Sequence, residues 1–405
     1  MKVIIAFIIV SAIICIYGAE ATLDYLSSGE LTWETTPGSA HGLALSPETM
    51  VEHMKVAKEI GQPFDGRSHL EVIRDFEGQG VQAYPPVTVN KVVEVDGKEL
   101  FPLGGISNVV TVYCNEVGEY TIYNSDEHGF HNPKGLWNRG PIEIAVLGDS
   151  FTHGACVPSD ENFVARIRAY HPRTLNLGMA GMTPLHQLGT LKEYVSMVRP
   201  QLVLWVYFEG TRLDELRQQE RGLLGAYVHQ GPFQELFLQQ LWIDRALIKT
   251  FGKVHHNEKP ALSSHTMADG FVRLLELEAL RSYVNGVLYA GEAPSTNAGL
   301  GLFKKVLREA VRTTCMWKGQ FMFVYLPQYE RYTHPWLANS HRQRVLSIVA
   351  ELGITVIDVH PAFASQPDPI SLFPFRRAGH YDVLGHQVVA DTILSHIGHD
   401  SRVSE

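Results

Sequence analysis

The stretch EIAVLGDSFTHGACV, from Glu143 to Val157, decides how this chain folds. Its first part, EIAVLG (143–148), is a short apolar run of the kind found in strands buried on both faces of a parallel sheet. Gly148 allows a tight turn, and Ser150 follows where a helix can begin. Open α/β sheets bind ligands beyond the carboxyl ends of their strands. A hydroxyl at this point is exposed and near the positive end of a helix dipole. Serine is also a favoured helix cap, so position alone leaves Ser150 as either a nucleophile or a cap.

Four further runs resemble the first: TLNLG (174–178), QLVLWVYF (201–208), GQFMFVYL (319–326) and ITVIDV (354–359). Amphipathic stretches alternate with them, clearest in ENFVARIRAY, PLHQLGTLKEYVSMV, KVLREAVRTTCMW, HRQRVLSIVAEL and LGHQVVADTILSHI. This alternation predicts an α/β domain over 141–400, with a parallel sheet between two helical layers. The interval between the third and fourth runs is too long for a simple crossover. Helical periodicity in FQELFLQQLWIDRALIKTF and FVRLLELEALRSYVNGVLY predicts a helical insertion at about 213–295, either a cap over the site or a buttress on the sheet. Residues 22–140, rich in Gly, Pro and short β-like runs such as KVVEV and NVVTVYC, read as an irregular, β-rich extension of low helical content.

Composition narrows the class. The chain has 405 residues, 45% of them hydrophobic and 19% charged, with a formal net charge of −9. That acidity, with no clustered Lys/Arg stripe, argues against nucleic acid as a partner. No His/Cys/Asp/Glu spacing predicts a structural zinc, and no Gly-rich loop suits a phosphate, so neither metal nor cofactor is expected. Lys2 precedes the apolar run Val3–Tyr17, and Ala19-Glu20-Ala21 offers small residues for cleavage. Residues 1–21 therefore read as a signal peptide or an uncleaved membrane anchor, and residues 3–17 as a possible tether. Either reading places the body outside the cytoplasm: periplasmic, secreted or anchored facing outward.

Beyond the leader three cysteines remain, Cys114, Cys156 and Cys315. Cys114 and Cys156 flank the strand that leads to Ser150 and form the candidate disulfide of an exported chain. Three buried small hydrophobes are the alternative.

The motif GDSFTHG (148–154) resembles the first block of the SGNH (GDSL-like) hydrolase superfamily, and further blocks follow in order. NLGMAG (176–181) is similar to the second block, YFEGTRL (207–213) stands in the third-block place, and GHYDVLGHQVVAD (379–391) resembles the last. The resemblance spans roughly 143–398 and implies a three-layer α/β/α, flavodoxin-like fold with Ser150 as nucleophile and His380 as general base. It further implies an oxyanion hole from the backbone N–H groups of Ser150 and Gly181. A third-block asparagine side chain normally adds a donor; Thr211 stands there, followed by Arg212. Arg212 reads as an anion contact or a solvated, ion-paired residue, and Glu209 as a residue holding that loop.

The family's acid, two or three residues before the histidine, is absent, since those positions are Ala378 and Arg377. Three options follow: a Ser–His dyad oriented by a backbone carbonyl, a carboxylate from elsewhere with Asp368 and Asp358 as candidates, or a degenerate site. Asp382 reads as the N-cap of the last helix, and His153 as a cap or a residue lining the mouth. The expected activity is an exported serine esterase that hydrolyses or transfers O-acyl groups on a carbohydrate or another small polar substrate. A non-catalytic binding or assembly protein on the same fold is the rival.

Overall fold

A computed structural model describes residues 47–87, 92–95, 97–229, 231, 234–254, 297–333 and 340–398. The leader (1–21), the start of the extension and residues 255–295 of the insertion lie outside the described residues. Among the described residues no helix is long and apolar enough to cross a membrane.

The extension is less irregular than its composition predicts. Two helices, Pro47–Glu59 and His69–Gly78, open it, correcting the expectation of low helical content. The second begins at a reciprocal cap: the Ser68 hydroxyl accepts from the Glu71 amide at 3.3 Å, and the Glu71 carboxylate accepts from the Ser68 amide at 2.7 Å. Both helices are short, and their few apolar positions are easily lost among the surrounding Gly and Pro. The rest is turns and short strands, β1 (Ala83–Tyr84), β2 (Val93–Val95), β3 (Lys98–Leu100), β4 (Val110–Val112) and β5 (Ile122–Asn124). β2 and β3 form a hairpin, while β4 pairs in parallel with β1 and antiparallel with β5.

All five apolar runs of the main domain are strands: β6 (Ile144–Gly148), β7 (Thr174–Gly178), β8 (Leu202–Phe208), β9 (Gln320–Leu326) and β10 (Thr355–Asp358). They form one parallel sheet in the order β10-β9-β8-β6-β7, the flavodoxin-like order, with the switch point between β6 and β8. Alternation along the strands divides the core between the two faces. Ala145, Leu147, Val203, Trp205 and Tyr207 face the cluster built by helices at 184–198, 297–315 and 340–351. Ile144, Val146, Leu204 and Val206 face Phe163 and Ile167 of helix Phe163–Tyr170, and Ile393 and Leu394 of helix Val383–Ile397.

The described part of the insertion packs on the extension and on the turn before β8. A π-helical turn at Leu191–Val195 buries Glu193, whose carboxylate accepts from Tyr227 Oη (2.8 Å), the Gln234 amide (3.0 Å) and the Leu236 amide (2.9 Å). Asp244 in helix Gln240–Val254 accepts from the Ser107 amide and hydroxyl, and Gln234 accepts from the Phe101 amide. These bonds lash residues 234–244 to the extension and to the π-helical turn Leu191–Val195.

Candidate active site

The nucleophile turn is shaped by close approach. β6 ends at Gly148, the Asp149 carboxylate caps the turn by accepting from the Phe151 amide (3.1 Å), and one helical turn runs Ser150–His153. A Cβ on Gly148 would lie 1.9 Å from Thr152 Oγ1, and one on Gly178, its partner across the β6–β7 ladder, 2.5 Å from the His153 amide. Only glycine permits that contact, which brings the ends of β6 and β7 together beneath Ser150. Gly181, three residues past β7, has φ +79° with open space around it. Thr211 follows β8 on the other side of β6, its amide bonded to the Phe208 carbonyl at 3.1 Å. The positions expected to form the oxyanion hole therefore follow three adjacent strand ends.

His380 comes from the segment before helix Val383–Ile397, which Asp382 caps by accepting from the Gly385 amide at 2.8 Å, as expected. Its ring lies 4.8 Å from Phe151, which stacks on Phe208 and packs against Tyr381. His380 Nε2 is 2.7 Å from Ser150 Oγ. On its other side, Nδ1 lies 2.8 Å from Glu116 Oε1, and Glu116 Oε2 accepts from the His380 amide at 2.8 Å. With Nδ1–H donating to the carboxylate, Nε2 is left to accept from the serine hydroxyl. Gly379 is part of this fit, because a Cβ there would lie 2.7 Å from Glu116 Oε2.

The carboxylate at the imidazole is thus neither of the expected ones. Asp368 pairs with Arg376, and Asp358 pairs with Arg342 while accepting from the His360 amide at 3.1 Å. Both are satisfied by arginines, and Glu116, from the loop after β4 in the extension, takes the place assigned to them. The dyad oriented by a backbone carbonyl is likewise set aside. A sequence signal was present: Glu116 stands two residues after Cys114, one of the two cysteines expected to meet near Ser150.

That pairing forms. Cys114 and Cys156 are joined by a disulfide, and Cys315 is free and exposed. The Cys156 sulfur, Glu116 and His380 present donor atoms within 4.8 Å of one another, but a sulfur held in a disulfide offers no thiolate to a metal.

The electrostatics follow from burial against pairing. Burial works to lower the pKa of His380, but the charge of Glu116, its hydrogen bond and the charge of Asp149 outweigh it and hold the imidazole above its ordinary value. Burial works to raise Glu116, yet the charge and hydrogen bonds of His380 keep the carboxyl below the usual range. Asp149, whose carboxylate receives the cap bond, is pushed by burial up to about 6.

The neighbouring residues have other places. His153 is fully buried beneath the turn, 2.6 Å from Tyr123 Oη and with its ring 4.3 Å from that of Tyr113, so it does not line the mouth. Burial holds its pKa well below the ordinary value, which keeps the ring neutral. Glu209 does hold the third-block loop: its carboxylate accepts from the Gln328 amide (3.0 Å) and from Arg331 Nε (2.8 Å). Arg212 is exposed and weakly paired with Glu215 at 3.5 Å.

No protein-family model and no curated protein matches the sequence. Among solved structures, the chain is similar to an acetylxylan esterase from Geobacillus stearothermophilus, with 17% identity and a TM-score of 0.35 over 64% of this chain and 95% of that one. It is also similar to a lipase/acylhydrolase from Enterococcus faecalis, with 13% identity and a TM-score of 0.34 over 63% and 95%. Scores this low describe likeness and nothing more.

Proposed function

We propose that this chain is a serine esterase of the SGNH type, acting on O-acyl esters. The observation that carries the reading is the continuous chain of hydrogen bonds Ser150–His380–Glu116 at 2.7 and 2.8 Å. A serine hydroxyl is a weak nucleophile until an adjacent base removes its proton, and that base needs a third group to fix its tautomer. Ser150 Oγ attacks the ester carbonyl while His380 Nε2 takes the hydroxyl proton, and Glu116 stabilises the imidazolium that forms. The tetrahedral oxyanion faces the backbone N–H groups of Ser150 and Gly181, with the Thr211 hydroxyl as third donor; one such donor is worth about 3 kcal/mol. The imidazolium returns its proton to the leaving alcohol, and an acyl-serine remains. Water, activated by His380 in turn, releases the acid; an alcohol in place of water gives acyl transfer.

The rival reading of a degenerate, non-catalytic fold drew on Thr211 in the third-block place together with the missing acid before His380. Glu116 fills the acid's role from another part of the chain, which removes the second of these supports. In the esterase reading the alcohol is a carbohydrate or another polar alcohol. Export is part of the proposal: the leader reading and the buried disulfide both suit an oxidising compartment outside the cytoplasm. Fluorophosphonate labelling tests the activated serine. Mass spectrometry is expected to place the adduct on Ser150, with none on the Ser150→Ala variant; an unlabelled wild-type protein contradicts the reading.

A further inference from the structure

The acid of the site and its nucleophile belong to two different parts of the chain, and one covalent bond joins them beside the reacting groups. Cys114 lies two residues before Glu116, and Cys156 lies six residues after Ser150. Their sulfurs are buried with them: Cys114 is 3% exposed and Cys156 0%, packed among Tyr113, Tyr123, Ala155 and Ala180. The Cys156 sulfur lies within 4.8 Å of the Glu116 carboxylate and the His380 imidazole.

Other bonds between the two parts fall further along β5 and its neighbours. Thr121 Oγ1 donates to the Val157 carbonyl, Ser159 Oγ donates to the Ile122 carbonyl, and Tyr123 Oη meets His153. On the outer side of Glu116 the hydrogen bonds stay within the extension, and the further ties, Glu52 to Arg377 at 2.9 Å and His53 against Phe375, reach the segment before His380 rather than the nucleophile turn. His53 Nδ1 meets the Glu116 carbonyl at 3.2 Å, and Asn115 bonds the Asp65 carbonyl and the Gly118 amide. The disulfide is therefore the link to the nucleophile turn nearest to Glu116 along the chain.

Resting on the esterase reading, we propose that Cys114 and Cys156 are positioning residues for the catalytic acid: their disulfide holds Glu116 on His380, so full activity belongs to the oxidised protein. A bonded sulfur pair is about 2 Å apart, whereas non-bonded heavy atoms settle at about 3.5–4 Å. On reduction by a dithiol, two electrons and two protons pass to the sulfurs, the S–S bond becomes two thiols, and the reagent closes into its own disulfide. The two sulfurs must then part by about 1.5 Å in a space that is already filled, and misplacing a catalytic group by about 1 Å can cost about 10²-fold in rate.

The test compares the full chain, oxidised and reduced with dithiothreitol, as wild type, Glu116→Gln and Cys114→Ala/Cys156→Ala. Two readouts are taken: turnover of an aryl acetate, and the low-field proton NMR signal of His380 Nδ1–H, identified by its loss in His380→Ala. Reduction of the wild type is expected to lower kcat about tenfold or more with little change in KM. It is also expected to remove the low-field signal while near-UV circular dichroism stays native. The double alanine variant, which lacks the covalent link but has no sulfurs to push apart, should be folded and lose rate and signal through the missing link alone, and reduction should cost Glu116→Gln nothing further. A folded reduced protein that keeps both rate and signal overturns the proposal. So does an equal loss on reducing Glu116→Gln, or collapse of the dichroism in both reduced protein and variant, because either marks a general structural staple. Absence of serine-dependent turnover in the oxidised protein counts against the esterase reading alone, and the NMR signal still decides the link between disulfide and acid.

Discussion

Glu116 and His380 are 264 residues apart in the chain and 2.8 Å apart in the structure. The carboxylate receives both the ring Nδ1–H and the backbone amide of His380, so it fixes the imidazole's tautomer and its orientation together. That single relationship turns the N-terminal extension from an appendage into part of the site.

Replacing Glu116 by Gln keeps the shape and removes the charge. We expect kcat/KM for an aryl ester to fall by about 10²–10⁴-fold, the range seen when a triad acid is neutralised or removed. Asp368→Asn, which removes only an exposed pairing with Arg376, should leave turnover close to wild type. Steady-state kinetics on the two variants checks the order, and equal losses would contradict the assignment of the acid.

The pH profile follows from the direction of the His380 shift. His380 accepts the serine proton only when neutral, and its folded pKa is raised above 6.5 chiefly because Glu116 outweighs burial. The acid limb of kcat/KM for the free enzyme should therefore have its midpoint above 6.5. In Glu116→Gln, with burial left unopposed by that charge, the midpoint should move to lower pH. A limb that does not move between the two proteins would contradict the coupling.

Two glycines near the site separate packing from backbone conformation. Gly178→Ala places a Cβ 2.5 Å from the His153 amide and 2.6 Å from Thr152 Cβ, so it should cost about 2 kcal/mol or more in unfolding free energy. Gly181→Ala meets no atom within 4 Å but must hold φ +79°, a cost of about 1–2 kcal/mol. Its larger effect is expected on kcat, through the amide at the oxyanion. Urea unfolding and kinetics on both variants check the contrast.

Stability should fall as the solution is acidified below pH 6.5. Burial pulls His128, His131 and His341 down to about 4 and His386 to about 3, and it also lowers His53, His153 and His360. The unfolded chain binds protons near 6.5 that the folded chain refuses, so each such group removes up to about 1.4 kcal/mol per pH unit as pH drops. Asp126 and Asp149, pushed by burial up to about 6, act in the opposite sense, as does Asp382. His380 also opposes the trend, since its contribution is present below 6.5 and is lost as pH rises through its raised folded value. The more numerous histidines should prevail, and urea midpoints at pH 7 and pH 5 measure the difference.

What was legible in the sequence divides along physical lines. The five strands were readable because the central ones, IAVLG at 144 and LVLWVYF at 202, are buried along nearly their whole length and so written almost wholly in apolar residues, and the others keep a short apolar stretch. The meeting of Ser150 with His380 was readable because each stands in a motif beside a strand end or a helix cap. Glu116 was not, because one carboxylate among 43 Asp and Glu carries no local pattern. Its role is set by a long-range contact, and only the Cys114–Cys156 pairing pointed to its neighbourhood. Asp368 and Asp358 were attractive because they precede His380 at modest distance, but the arginines that claim them, Arg376 and Arg342, were invisible as partners from spacing alone. The helix His69–Gly78 was missed for a related reason: its capping box is a local signal, but its apolar face is only a few residues wide.

The most direct measurement is hydrolysis of 4-nitrophenyl acetate by the purified protein beside its Ser150→Ala and His380→Ala variants. The account predicts real turnover by the wild type and its loss in both variants, each still folded by circular dichroism. Turnover that survives in Ser150→Ala, or none in the wild type, would contradict the assignment of Ser150 as the nucleophile of an esterase.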